Sequence, residues 1–343
     1  MKPLVMTAHG MCTALGFNAG ASGAAMLAGL SGAAQGMLWD AESGEFIACC
    51  RVPLRQWWHG VGKLATLAAA AIQDCLDRGG IEDGSTIPIL LGCAEPSRRC
   101  PLAPLDDALL DHVHEELAFA RHPQSRLVPL GQVSGIAAFD LADAILERGL
   151  ASRCIVAGVD SFLHQEVVEA FMGHRRVLTP SNANGFIPGE AAGAVLLSRE
   201  APRGPHLRIT GWATDRESGT IESDEPLTGR GLQKAIEGAL ARAGTDIYAT
   251  QYRTTDLNGE HYKFKEAALA IGRVMRRRHS ELFDVWHPGE WIGEVGAAIV
   301  PCMLGHQWWA SARDAAPGPQ CLGHAGTDSG ERGAYVARYE GGA

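Results

Sequence analysis

Thirteen histidines and nine cysteines give this 343-residue chain material for nucleophilic, acid–base or metal chemistry, so spacing decides what they can do. The cysteines form no C-x-x-C pair and no zinc-like pattern. Cys49 and Cys50 are adjacent and cannot easily bridge each other, so all nine read as reduced, mostly buried thiols. No H-E-x-x-H pair occurs, and His112 and His114, two apart on a polar helix, point to different faces. Glu260, Glu290 and Glu294 could pair for hydrolysis or metal binding, but no histidine stands at ligand spacing from them, so no metal is expected. His261 reads as the exposed start of a helix beside Tyr262, Lys263 and Lys265. The Gly-rich cradles GxGxxG and GxxxxGK[ST] are absent, and no nucleotide cofactor is expected. One tight turn, Gly131-Gln132-Val133-Ser134-Gly135, opens a helix and places Gln132 where a reactive side chain would sit. An amide has no ionisable nucleophile. It reads as a buried group satisfying neighbouring backbone.

The elements around that turn form a β–turn–α–β unit: a strand over 126–130, a helix over 136–148 closed by Gly149, and a strand over 154–157 running into Gly158 and Asp160. Upstream, a strand opens the chain and a small-residue helix covers 21–30. Residues 31–60 read as irregular, with Trp57 and Trp58 exposed. Apolar residues at Leu64, Leu67, Ala71, Ile72 and Cys75 predict a helix over 63–77 that Gly79 and Gly80 end. A buried strand over 87–91 and a polar helix over 105–121 follow. The second half has a similar order, with a strand over 207–211, a helix over 232–243, a strand before Asn258, a helix over 265–277, another after Gly296, and an alternating strand over 335–339. Residues 199–205 look like a connector, dividing the chain into 1–200 and 201–343. Adjacent tryptophans cannot easily share one interior, so Trp57–Trp58 and Trp308–Trp309 are expected at an interface.

Composition narrows the class. Apolar residues at 46% and charged ones at 20% fit a well-buried α/β protein. A net charge of −9 and a pI near 5.8 argue against a nucleic-acid partner. The basic run Arg273–His279 reads as the solvated end of a helix. The first residues have no apolar core of signal-peptide length, and no stretch of about 18 apolar residues exists, so a cytoplasmic protein without a membrane partner is expected.

Several stretches together resemble the β-ketoacyl synthase branch of the thiolase-like superfamily. The opening VMTAHGMCTALGFNAGASGAAMLAGLSG is similar to that family's first strand, turn and helix. GQVSGIAAFDLADAILERGLASRCIVAGVDS resembles its nucleophile elbow and following strand. NGFIPGEAAGAVLL, from Asn184 to Leu197, is close to the signature DGF-x-x-GE-[GA]-AG, and carries Gly185, Gly189, Glu190 and Gly193. Weaker echoes are DLNGE at Asp256, GEVGAA at Gly293 and GHAGT at Gly323, the last containing Gly326. The ordered set spans essentially the whole chain.

The resemblance implies a layered αβαβα fold of two similar α/β halves with mixed sheets around central helices, and a homodimer or heterodimer. It also implies a mechanism whose residues are missing. The family's acyl-accepting Cys falls on Gln132, its first His on Asn258, its second on Glu294, its Lys on Gly289, and its gatekeeping aromatic on His324, beside the pocket. Gly135, Gly185, Gly189, Glu190, Gly193 and Gly326 keep their structural roles. A Gln at the nucleophile position also occurs in chain-length-factor subunits and decarboxylating loading domains. The expected reading is a catalytically inactive relative, a protein-binding scaffold or adaptor. Its partner would be a type VI secretion effector that it helps load, or an active ketosynthase with its acyl carrier protein. The alternative is an acyl-thioester transferase or decarboxylase with rearranged residues.

Overall fold

The computed structural model describes residues 2–55, 59–99, 105–280 and 282–341; Trp57 and Trp58 lie outside them. Twelve strands and nine α-helices follow one another along these residues. The first part carries β1 (Leu4–Cys12), α1 (Ala19–Leu27), β2 (Ala33–Asp40), β3 (Glu45–Cys50), α2 (Val61–Arg78), β4 (Ile89–Gly92), α3 (Asp107–Leu117), β5 (Arg126–Val128), α4 (Ser134–Glu147), β6 (Arg153–Ser161), α5 (Gln165–Met172) and β7 (Glu190–Ser198). The second carries β8 (His206–Arg216), α6 (Arg230–Ala243), β9 (Tyr252–Thr255), α7 (His261–Val274), β10 (Asp284–Trp286), α8 (Gly289–Ile292), α9 (Ile299–Ser311), β11 (Gln320–Gly326) and β12 (Glu331–Glu340).

Ten strands make one mixed sheet in the order β10-β9-β11-β12-β8-β1-β7-β6-β4-β5. Read outward from the middle, β1-β7-β6-β4-β5 and β8-β12-β11-β9-β10 are the same walk made twice. The pairing repeats too: β1–β7 and β6–β7 are antiparallel, as are β8–β12 and β11–β12, while β4–β6, β4–β5, β9–β11 and β9–β10 are parallel. The halves meet where Leu4, Val5 and Met6 pair with Ile209, Arg208 and Leu207. The two expected mixed sheets are thus continuous through a short seam.

Strand alternation explains the layers. On β6, Cys154 and Val156 face a central core, whereas Ile155, Ala157 and Val159 face an outer one. On β7, Ala191, Val195 and Leu197 go to the centre and Ala192, Ala194 and Leu196 outward. The central core also takes Ile136, Phe139 and Ala142 of α4, Ile299, Val300 and Met303 of α9, and Tyr335 and Ala337 of β12. Outer cores hold α2 and α3 on one side, α6 and α7 on the other. Strands buried on both faces need helices above and below, and the sequence of layers is αβαβα.

Helices α4 and α9 are the matched pair at the centre. Each starts from a 3-10 turn whose first residue is a left-handed glycine, Gly131 at φ 50° and Gly296 at φ 48°. They touch through Gly135, where a Cβ would stand 2.8 Å from Val300.

Two local expectations need correction. Residues 31–60 are not irregular: β2 and β3 pair as an antiparallel hairpin. Its pairing slips between Gln35 and Trp39, which breaks the alternation that marks a strand in sequence. Trp308 and Trp309 are half-buried and do make contacts within the chain, Trp308 5.4 Å from the His9 ring and Trp309 over Gly23 of α1. Lys263 belongs to the first turn of α7 and is 5% exposed, not part of an open helix start. The basic run does follow the end of α7, with Arg276, Arg277 and Arg278 exposed. No helix among the described residues is long and apolar enough to cross a membrane.

Candidate functional site

The turn before α4 presents Gln132, 6% exposed, toward the turn before α9. Its amide Nε2 donates to Glu294 Oε1 at 3.1 Å. Asn258, two residues into the loop after Asp256, donates through Nδ2 to Glu294 Oε2 at 2.5 Å and to Glu260 Oε2 at 3.1 Å. The N–H of Gly296 donates to Glu294 Oε1 at 3.0 Å. Three positions far apart in sequence therefore converge on one carboxylate. The fourth, Gly289, opens α8, and a Cβ there would stand 2.8 Å from the Leu257 carbonyl oxygen. No lysine fits that place without the backbone moving.

A lysine nevertheless reaches the site from α7. Lys263 Nζ lies 2.8 Å from Asp256 Oδ2 and 3.7 Å from Glu294 Oε2. Burial opposes its charge, but Asp256 and Glu294 more than compensate and hold its pKa above the ordinary lysine value. Asp256 is itself fixed by the N–H of Gly326, which donates to Oδ2 at 3.0 Å. Glu260 is clamped by Arg176 at 2.6 and 3.0 Å, and Arg176 also donates to Asp328 at 2.7 Å. Burial raises the pKa of Glu260, and Arg176 pulls it back. On the other flank, Arg98 holds Asp160 with two bonds of 2.6 and 2.7 Å, and Asp160 accepts the N–H of Ala297. The site is a dense set of paired charges.

The remaining motif residues make contacts of their own away from the Gln132 amide. Glu190 is fully buried, pairs with Lys63 at 2.6 Å, and accepts from the Val52 N–H and the Ser161 hydroxyl. Gly189 donates its N–H to the Glu294 carbonyl, and a Cβ there would stand 2.5 Å from the Ile292 oxygen. Gly185 packs on the Val177 backbone and Gly193 on Pro301, both too close for a Cβ. His261 is exposed, at the start of α7, and its N–H donates to Asn184 Oδ1. Glu290 is exposed beside His287, away from Glu294's partners.

His324 does not guard an open pocket. It is 2% exposed on β11, its Nε2 has no partner, and it lines a void of about 10 Å³ with Asp256 and Lys263. That is room for one water at most. Burial lowers its pKa to about 4, so the ring is neutral near pH 7.

Chemically, the side chains that meet at Glu294 are two amides and the Lys263 ammonium, arranged to hold that carboxylate in place. The eight cysteines among the described residues are free and buried. Cys93 touches the turn, its carbonyl accepting the Gly131 N–H; burial pushes its thiol up to about 12. The residue that sequence reasoning missed is Lys263. The signal was there: 263, 266, 267, 270 and 271 form one buried stripe of α7, which a helix begun at 265 cuts short.

Residues 132–202 match the family described as "Beta-ketoacyl synthase, N-terminal domain". Among solved structures, the chain is similar to a type II PKS acyl-carrier protein complex with its ketosynthase bound to the hexaketide. That match has TM-score 0.79 and 15% identity over 98% of this chain and 99% of the other. It is also similar to a ketosynthase in complex with its chain length factor from Xenorhabdus doucetiae, at TM-score 0.74 and 16% identity over 99% and 98% of the two chains. The ishigamide ketosynthase/chain length factor matches at TM-score 0.77 and 15% identity over 98% and 99%. No curated protein matches the chain. The fold is the thiolase-like fold of the ketosynthases.

Proposed function

We propose that this ketosynthase-like chain is a catalytically inactive subunit that works by binding a protein partner, foremost an active ketosynthase with its acyl carrier protein. One observation carries the reading: the resemblance puts the thiol and the two imidazoles at Gln132, Asn258 and Glu294, and here the Gln132 and Asn258 amides donate to the Glu294 carboxylate, while Gln132 Oε1 is buried without a partner and satisfies no neighbouring backbone as the sequence had suggested. Condensation of that kind needs a thiolate to take the acyl group and neutral donors for a developing enolate. Here the first position is an amide, and the third is a carboxylate that would repel the enolate. Lys263 does not reverse this, because Asp256 already shares its charge.

The partner is argued from the neighbours. Two of the similar structures pair a ketosynthase with a chain length factor, and one holds an acyl carrier protein. Nothing in these relatives favours a secretion effector. The test has two arms. Affinity capture from the native host should recover a ketosynthase or acyl carrier protein, with native mass giving the homo- or heterodimer; recovery of a secretion effector alone would overturn the partner. Incubation with acyl and malonyl thioesters should give neither a mass gain nor CO₂, and robust turnover would overturn the inactive reading.

A further inference from the structure

A second cavity, of about 410 Å³, lies between the β2–β3 hairpin, Arg51, His59, the first turn of α2 and the segment leading into α5. That is within the usual range for small-molecule sites, about 300–1,000 Å³. One wall is apolar, with Met37, Leu38 and Leu163; the other carries Arg51, His59 and Lys63. No carboxylate lines it among the described residues.

Two features give this wall positive potential, Arg51 and the start of α2, and Lys63 adds hydrogen-bond donors without net charge, since Glu190 pairs with it. Lys63 is 3% exposed and spends its charge on Glu190, but an ammonium has three donors and this pair is its single salt bridge among the described residues. Arg51 is exposed and has no carboxylate partner among the described residues. The first turn of α2, 18 residues long, has no side-chain cap and no acidic residue, so its free N–H groups add positive potential beside Lys63. The apolar wall is shaped by the slip in hairpin pairing between Gln35 and Trp39. Gly36 permits it, since a Cβ there would stand 2.4 Å from Cys49 Sγ.

We propose that this cavity binds a small organic anion, a carboxylate or phosphate head on an apolar body, with the head at Arg51 and Lys63 and the body against Met37, Leu38 and Leu163. The site is separate from the cluster around Glu294 and stands whether or not the chain has a catalytic role.

Calorimetric titration of the intact protein with octanoate, octyl phosphate and octylamine near pH 7 tests it. At least one of the two anions is expected to bind saturably at one per chain, tenfold or more tighter than octylamine. The octanoate and octyl phosphate arms separate a carboxylate from a phosphate head. Arg51→Glu changes an exposed residue and should weaken the anion tenfold or more while the circular dichroism spectrum is unchanged. Met37→Asn, also at an exposed position, should weaken it through the apolar wall. No saturable binding of either anion, equal binding of octylamine, or indifference to Arg51→Glu would each overturn the proposal.

Discussion

Glu294 accepts from two side-chain amides and a peptide N–H and has an ammonium 3.7 Å away. Removing a partner from such a cluster leaves buried charge unpaired, at a cost of roughly 3–5 kcal/mol. Lys263→Met should therefore lower stability in urea by about that much, because Asp256 and Glu294 both lose their cation. Glu290→Ala, at an exposed carboxylate, should stay within about 0.5 kcal/mol and serves as the control. The same carboxylate governs what a restored thiol could do. In Gln132→Cys the start of α4 favours a thiolate, but Glu294 opposes it. The double variant Gln132→Cys, Glu294→Gln should alkylate at residue 132 about tenfold faster than the single one, since one charge at contact shifts a pKa by about a unit or more. Site-resolved mass spectrometry of the labelled peptides reads this, and equal rates would mean that the two side chains do not meet.

At the level of elements, the site depends on two helices starting side by side. Gly135 lets α4 approach α9, so Gly135→Ala drives a Cβ to 2.8 Å from Val300 and should cost about 1–3 kcal/mol. Gly149 closes α4 at φ 65° with open space around it, so Gly149→Ala should cost only the left-handed strain, about 1 kcal/mol. Chemical denaturation of the two variants orders them, and the reverse order would contradict the packing of the central layer. The β–turn–α–β unit around Gln132 was legible because its apolar periods and closing glycines agree. The β2–β3 hairpin was not. Its pairing slip and its half-exposed strands leave no clean period of two, and its fit to α5 depends on long-range bonds such as Gln165 Nε2 to the Trp39 carbonyl.

For the molecule as a whole, burial makes a stability claim. His9, His306 and His324 are held neutral, their pKa values lowered by burial to about 3, 4 and 4 from 6.5. Between these values and 6.5 the unfolded chain binds protons that the folded chain refuses, so the stability from His306 and His324 falls as pH drops from 6.5 to about 4, and that from His9 goes on falling to about 3. Each group contributes on the order of a few kcal/mol across that window. Urea midpoints at pH 7, 6 and 5 should fall steadily, and His306→Phe, between Trp286 and Trp291, should make the fall shallower. By itself the amino-acid sequence determined the types at the key positions, the amide at 132 and the absence of a lysine near 289, because motif and period are local properties of the chain. It determined the α/β class for the same reason. The meeting of Gln132, Asn258 and Glu294, the arrival of Lys263 from another helix and the cationic cavity beneath the hairpin were decided only by the tertiary structure. Each depends on which side chains the open ten-stranded sheet and its covering helices bring together, and hydrogen bonds among them need approaches of about 3 Å.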